Sequence, residues 1–332
     1  MGFFVCGMIV RFGKMKKYLF IVLLVGIGFG QVFSKEKLEF DEIYSKVNNK
    51  DKWGPDDKLG TINYITNEKV LSALKIPDKG ISVSLGFNMV DDSTRINNSS
   101  YDHLSKFTYK QIFKEHNGYN WIMDNYEIAY HGFTHSHIDG INHLSKDGKM
   151  YNGFVDPNIL GIDNYKNGII SKGILIDVPL LYNKEYVDAG YKVTLKDIID
   201  FEKKYKVKIE KGDVLLIRTG RWIEKEIKGD WNFPKKAAGI HYNIIPFLSE
   251  REVAVLGSDG TNDSHPPLIK EESSPIHMLT LVAMGMPLLD NLNLEELSKK
   301  AREVNKWKFF ISIQPLRLEG GTGSPLNALA IF

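Results

Sequence analysis

One cysteine, Cys6, occurs in 332 residues. That excludes a disulfide framework, a cysteine-rich metal site and, beyond residue 6, thiol chemistry. A charge excess of one sign is also missing. With 43 basic residues against 41 acidic, the formal net charge is +2, so the balance does not point to nucleic acid or an anionic lipid surface as a partner. No GxSxG, HExxH, GxxxxGK(S/T) or GxGxxG occurs, which leaves serine-esterase, zincin, phosphate-loop and dinucleotide chemistry without an anchor. Internal repeats, low-complexity segments and a Pro/Gly/Ser-rich linker are likewise absent, and one domain is expected from Lys35 onward.

The uncharged apolar run from Tyr18 to Phe33 covers 16 residues, fewer than the roughly 20 that cross a bilayer comfortably. Met15, Lys16 and Lys17 precede it and small Ser34 follows it, the pattern of a cleavable secretory leader over residues 1–34 with Met15 as its natural start. The expectation is export to a periplasm or the extracellular space, with no membrane attachment once the leader is removed. Arg11, Lys14, Lys16 and Lys17 leave with it, turning 43 against 41 into 39 against 41.

What is present in excess, locally, is histidine. His131, His135, His137 and His143 fall within the thirteen residues HGFTHSHIDGINH, together with Asp139. In an extended strand His131, Phe133, His135, His137 and Asp139 would share one face. His137 and Asp139 then form a two-pronged claw of imidazole nitrogen and carboxylate oxygen, a donor set that suits zinc or manganese. Gly140 is expected to let the chain bend and bring His143 over the site. One short strand rarely completes a coordination sphere, so distant ligands are expected among His241, His265, His277 and Asp290.

The strand-like runs are Ile81 to Val90, Gly173 to Val178, Asp213 to Gly220, Glu252 to Asp259 and Trp307 to Leu318, each rich in β-branched and aromatic residues. Helices are expected from Thr194, capped with Asp197, to Tyr205, from Ser274 and Pro275 to Met284, and over Leu294 to Val304. Mixed strands with interspersed helices indicate an α/β protein with a mixed or antiparallel sheet and flanking helices, and too few helices for a doubly wound parallel sheet. The C-terminal GGTGSP reads as a tight turn in preference to an anion cradle.

Four separated stretches, WGPDDKLGTINYIT (Trp53 to Thr66), THSHIDGINH (Thr134 to His143) with DGKMYNG after it, VAVLGSDGTND (Val253 to Asp263) and GTGSPLNALAIF at the C-terminus, give the chain its resemblance to a known family. It resembles the cyclase family of metal-dependent hydrolases, which includes kynurenine formamidase and isatin hydrolase. The resemblance implies a swivelling β/β/α fold and a homodimer or higher homo-oligomer. It implies that His137 and Asp139 bind a divalent metal, zinc or manganese, that His143 is the general acid/base, and that His277 and Asp290 are the later ligand pair. Phe133 stands where the family has a first histidine, so His135 or His131 is expected to replace that ligand. Trp53, Phe133, Trp222 and His241 are candidates for contact with a small-molecule substrate. The activity implied is metal-dependent hydrolysis of a small amide or lactam. Its rivals are a metal-dependent lactone or ester hydrolase and a secreted metal-binding protein without turnover.

Overall fold

The computed structural model describes residues 34–89, 106–229 and 231–332; the expected leader, apart from Ser34, lies outside them, as does Val90. Among the described residues thirteen strands follow in chain order. The first eight are β1 (Ser82–Ser84), β2 (Phe107–His116), β3 (Tyr119–Ile128), β4 (His137–Asp139), β5 (Ile169–Asp177), β6 (Lys192–Val193), β7 (Val214–Arg218) and β8 (Gly239–Ile240). The last five are β9 (Val255–Ser258), β10 (Leu288–Asp290), β11 (Lys308–Ile313), β12 (Gly323–Pro325) and β13 (Leu329–Ile331).

Nine of them form one sheet in the order β1-β13-β11-β5-β7-β9-β10-β4-β12. The middle four, β5, β7, β9 and β10, run parallel. Their side chains are buried throughout apart from half-buried Ile170 at the start of β5. That is why they read as nearly unbroken apolar runs with no alternation. Antiparallel strands extend this core on both sides. The α/β architecture with a mixed sheet and flanking helices expected for a swivelling β/β/α protein is the one the chain adopts, and Ser34–Phe332 form one compact unit.

Local chemistry explains most element ends. Thr194 and Asp197 form the expected capping box, and the helix Leu195–Tyr205 follows it. Pro275 opens a single α-turn, Pro275–His277, but the chain then widens into a π-helix, Met278–Met284, that Gly285 ends in the left-handed region. Strand β11 stops at Ile313, short of the expected Leu318, because Pro315 has no N–H for the ladder. Arg218 at the end of β7 ties three elements together. It donates to Asp177 of β5 at 2.9 Å and to Glu295 of the helix Glu295–Val304 at 2.5 and 2.9 Å.

Three expectations need correction. The segment from His131 is not one extended strand: only His137–Asp139 pairs in the sheet, and residues 131–136 bend, because Gly132 and the carbonyls of Phe133 and His135 are drawn into bonds with Tyr130, Arg221 and Asn291. The GGTGSP segment is more than a turn, since Gly323–Pro325 pairs with β4 along the sheet edge. The third is the ten-residue strands β2 and β3, which form a separate antiparallel ribbon that the strand reading omitted; its signal is Asn117-Gly118, both at positive φ in the turn. Among the described residues no helix is long and apolar enough to cross a membrane.

Candidate metal centre

Strand pairing assembles the centre. Asp290 on β10 lies directly opposite His137 on β4, and Leu288 lies opposite Asp139, so His137, Asp139 and Asp290 share one face of adjacent strands. Ligating atoms of these three lie within 4.8 Å of one another. From the turn of helix preceding the π-segment, His277 directs Nε2 at the same point, 3.4 Å from Asp139 Oδ2 and 3.9 Å from Asp290 Oδ2. Four of the residues expected as ligands, His137, Asp139, His277 and Asp290, therefore converge.

The other ring nitrogens are already committed. His137 Nδ1–H donates to the carbonyl of His135 at 2.8 Å. His277 Nδ1–H donates to Asp263 Oδ2 at 2.6 Å, and Asp263 also accepts the backbone N–H of Ile276 at 2.7 Å. Each imidazole thus has its tautomer fixed with Nε2 turned to the carboxylates, the way metal-binding histidines are held by their outer partners. Asp290 is fixed in turn by Asn262, whose side-chain N–H donates to Oδ1 at 2.5 Å.

The charges point the same way. Asp139 and Asp290 are both buried. Burial, together with the charge of Asp139, pushes Asp290 up to about 6. Burial disfavours the charged form of His137, yet the charge and hydrogen bond of Asp139, with Asp290 behind, raise it to about 8. His277 is also raised well above its usual value: burial opposes this, and the hydrogen bonds of Asp139 and Asp263 outweigh it. Two buried carboxylates that draw protons onto neighbouring imidazoles are asking for positive charge, which a divalent cation supplies. The mixed nitrogen and oxygen donors fit zinc or manganese.

A second donor group, His131, Asp139 and His143, shares Asp139 with the first. His131 Nδ1–H donates to Asp139 Oδ1 at 2.9 Å, and the Thr322 hydroxyl lies 3.2 Å from its Nε2. A β-carbon on Gly323 would stand 2.7 Å from His131 Cε1, so only glycine admits the ring there. His143, carried over by the turn from Gly140 to His143, stacks on His131 with centroids 4.2 Å apart and planes 6° from parallel. Burial pulls His143 down to about 4; Asp139 opposes this, and the neighbouring imidazoles add to it. Its ring is neutral near pH 7.

These groups face a cavity of about 530 Å³, a size suited to a small molecule. Phe133, Leu144 and Pro234 provide apolar wall, and His265 also faces it. Phe133 thus takes no ligand position, and it is His131, not His135, that reaches Asp139. His135 is buried with its ring 6.2 Å from that of Phe107, outside the cavity lining. Three expected substrate contacts, Trp53, His241 and Trp222, lie elsewhere. Trp53 packs edge-on against Tyr64 at 5.0 Å, and His241 caps the short helix Tyr242–Ile244 by accepting from the N–H of Asn243. Trp222 is core, its indole N–H bonded to the carbonyl of Leu292. Asp263 and Asn262 had no role in the sequence reading; a carboxylate fourteen residues before a ligand-type histidine was the available signal.

The family model described as "Putative cyclase" matches residues 67–262, more than half of the chain. A search of curated proteins returns no match. Among solved structures, a crystal structure of a novel cyclase superposes with a TM-score of 0.76 at 25% identity, covering 86% of this chain and 100% of the other. Isatin hydrolase A from Ralstonia solanacearum gives 0.56 at 20% identity, over 78% of this chain and 93% of its own. An isatin hydrolase bound to the product analogue thioisatinate gives 0.56 at 20% identity, over 80% and 98%. At these identities the two hydrolases share the fold.

Proposed function

Because this chain belongs to the cyclase family, we propose that it is a metal-dependent hydrolase that cleaves the carbon–nitrogen bond of a small amide or lactam. The observation that carries the reading is the pair of imidazoles, His137 and His277, with Nδ1 anchored and Nε2 turned to two buried carboxylates in one cavity. His137, Asp139, His277 and Asp290 would hold the ion. A divalent cation held there would supply Lewis acidity toward the substrate carbonyl and the attacking water.

The chain's own groups do the rest. His143, neutral and facing the cavity, accepts a proton from the attacking water on a ring nitrogen and returns it to the leaving nitrogen. The new bond joins the water oxygen to the acyl carbon, the carbon–nitrogen bond breaks, and a carboxylic acid and an amine result, the acid then losing the second water proton to solvent as it becomes a carboxylate. His131 holds the plane of His143 by stacking and the orientation of Asp139 by its hydrogen bond. Phe133 and Pro234 offer apolar surface to a ring-bearing substrate. The leader pattern over residues 1–34 supports export of the mature chain.

The test is elemental analysis of the purified protein, followed by a panel of amides, lactams, lactones and esters assayed after chelation and after restoring zinc or manganese. Metal-dependent turnover of amides or lactams is expected. Turnover confined to lactones and esters, or equal turnover with and without metal, would overturn the reading.

A further inference from the structure

The cavity at the candidate metal centre carries charge of one sign in its wall. Three carboxylates line it, Asp139, Asp263 and Asp290, and among the described residues neither a lysine nor an arginine does. One divalent ion would set two positive charges against those three negative ones. Arg221 reaches the carbonyl of Phe133, but its guanidinium is buried, donates also to Asn291 Oδ1 at 2.6 Å and lies 3.4 Å from the ring centroid of Phe233. Its charge is committed within the protein. A carboxylate taken out of water is ordinarily met by a forked arginine or a lysine, and without one it stays unpaired at a cost. The wall therefore works against an anionic ligand.

The same lining holds a histidine that the centre does not use. His265 belongs to neither donor group, and among the described residues its ring makes no hydrogen bond. Its backbone, by contrast, is fixed from both sides: its N–H donates to the carbonyl of Ala237, and its carbonyl accepts the N–H of Ala237, each at 3.0 Å. That isolated bridge ties His265 to the segment carrying Pro234, three residues before Ala237, so the apolar wall and the polar ring are held together. Burial lowers the pKa of His265; Asp263 opposes this and His277 adds to it. The ring is neutral near pH 7, with one N–H to donate and one nitrogen to accept. A half-buried imidazole with both nitrogens unbonded, beside Phe133, Leu144 and Pro234, gains its hydrogen bond when a ligand brings a partner.

We propose that the cavity selects uncharged amides or lactams and that His265 is a specificity-determining residue, bonding a neutral polar substituent of the substrate away from the scissile carbon–nitrogen bond. The inference rests on the hydrolase reading above and adds to it the charge of the substrate and the side chain that reads it. Apolar wall accepts the ring of the substrate, and His265 fixes which way round the ring lies by pairing with the one substituent that offers it a hydrogen bond.

Ring-substituted acetophenones test this, because a carbon–carbon bond stands where the cleavable carbon–nitrogen bond would be and binding is read without turnover. Ligand-observed NMR titration of the zinc-loaded protein compares two matched pairs, each substituted at the meta or para position. Ethyl and hydroxymethyl differ in one hydrogen-bonding group; methylsulfonyl and sulfonate differ in charge, and sulfonate is used instead of carboxylate so that the anion does not itself compete for the metal. The sulfonate should bind at least about tenfold more weakly than the sulfone, as an unpaired anion does. His265→Phe should lower the preference for hydroxymethyl over ethyl by about two- to tenfold, the range for one neutral hydrogen bond, while zinc content and binding of the ethyl compound stay as in the wild type. His265→Gln should retain part of the preference, and if His265→Phe does not fold, His265→Ala is read the same way. Equal binding of sulfone and sulfonate, a hydroxymethyl preference unmoved in the folded variant, loss of zinc on replacing His265, or no binding by any acetophenone would each overturn the proposal. The matching benzamides separate it from the hydrolase reading: if the acetophenones bind in the expected order and the benzamides are not hydrolysed, the activity fails and the selectivity stands.

Discussion

Asp263 accepts the Nδ1–H of His277 at 2.6 Å while its other oxygen accepts the N–H of Ile276. One carboxylate thus fixes both the ring and the backbone that carries it. Asp263→Asn can keep the backbone bond but presents a weaker, neutral acceptor to the ring. Metal affinity should fall about 10- to 100-fold with the fold intact. Competition against a chromophoric chelator measures it, and an unchanged affinity would remove Asp263 from the centre.

His137→Ala and Asp139→Ala each delete a group from the strand face that gathers the ligands. Both variants should emerge from purification without metal, because losing one ligand of a few removes much of the binding free energy. Full occupancy by elemental analysis in either variant would count against the claw.

His143→Ala should keep metal and lose turnover by about 10² to 10⁴ in kcat, the usual contribution of a general acid/base. That corresponds to roughly 3 to 5 kcal/mol of barrier. Joint loss of metal and activity, reversed by excess metal, would instead make His143 a ligand alongside His131.

Metal affinity should weaken as pH falls. In the metal-free protein, burial resists but Asp139 and Asp290 raise His137 to about 8. Below that pH a cation must displace a proton, and each unit lost should cost about tenfold in apparent affinity for every proton displaced. The sign is fixed by the ligand form: the neutral ring binds metal and the protonated ring does not. Isothermal titration at pH 6, 7, 8 and 9 should register proton release that shrinks above 8; affinity independent of pH across this range would contradict it.

Arg218→Ala should destabilise the fold by about 3–5 kcal/mol, since it leaves the buried Asp177 without its charged partner. Glu295 would lose the same partner. A thermal melt reads the loss, and a Tm within a degree or two of wild type would show that water compensates both acids.

The candidate metal centre divides cleanly into parts that local sequence carries and parts that only the fold creates. His137, Asp139 and His143 were legible because alternation along a strand and a glycine bend act over a few residues. His277 and Asp290 stood among four distant candidates by residue type and by their places at element ends, and resemblance to a family singled them out. Asp263 and Asn262 were not legible: their partners lie 14 and 28 residues away, and the contacts exist only once β9 and β10 are side by side. The bend at residues 131–136 defeated the strand reading because bonds to Arg221 and Asn291, elsewhere in the chain, decide it. The central sheet was read correctly in class because continuous apolar runs survive as buried parallel strands; the ribbon was overlooked because its apolar residues lie on both faces and mimic no half-buried pattern.

The pairing of β4 with β10 has a consequence for how such a protein can change over generations. His137, Asp139 and Asp290 are held in register by backbone bonds inside a nine-stranded sheet, whereas Phe133 and Pro234 reach the cavity from irregular segments outside any strand. Substitutions in those segments can reshape what the cavity accepts without shifting a ligand by a fraction of an ångström, because loops tolerate change and a sheet interior does not. The chemistry is inherited through the ladder, and the choice of molecule is free to drift.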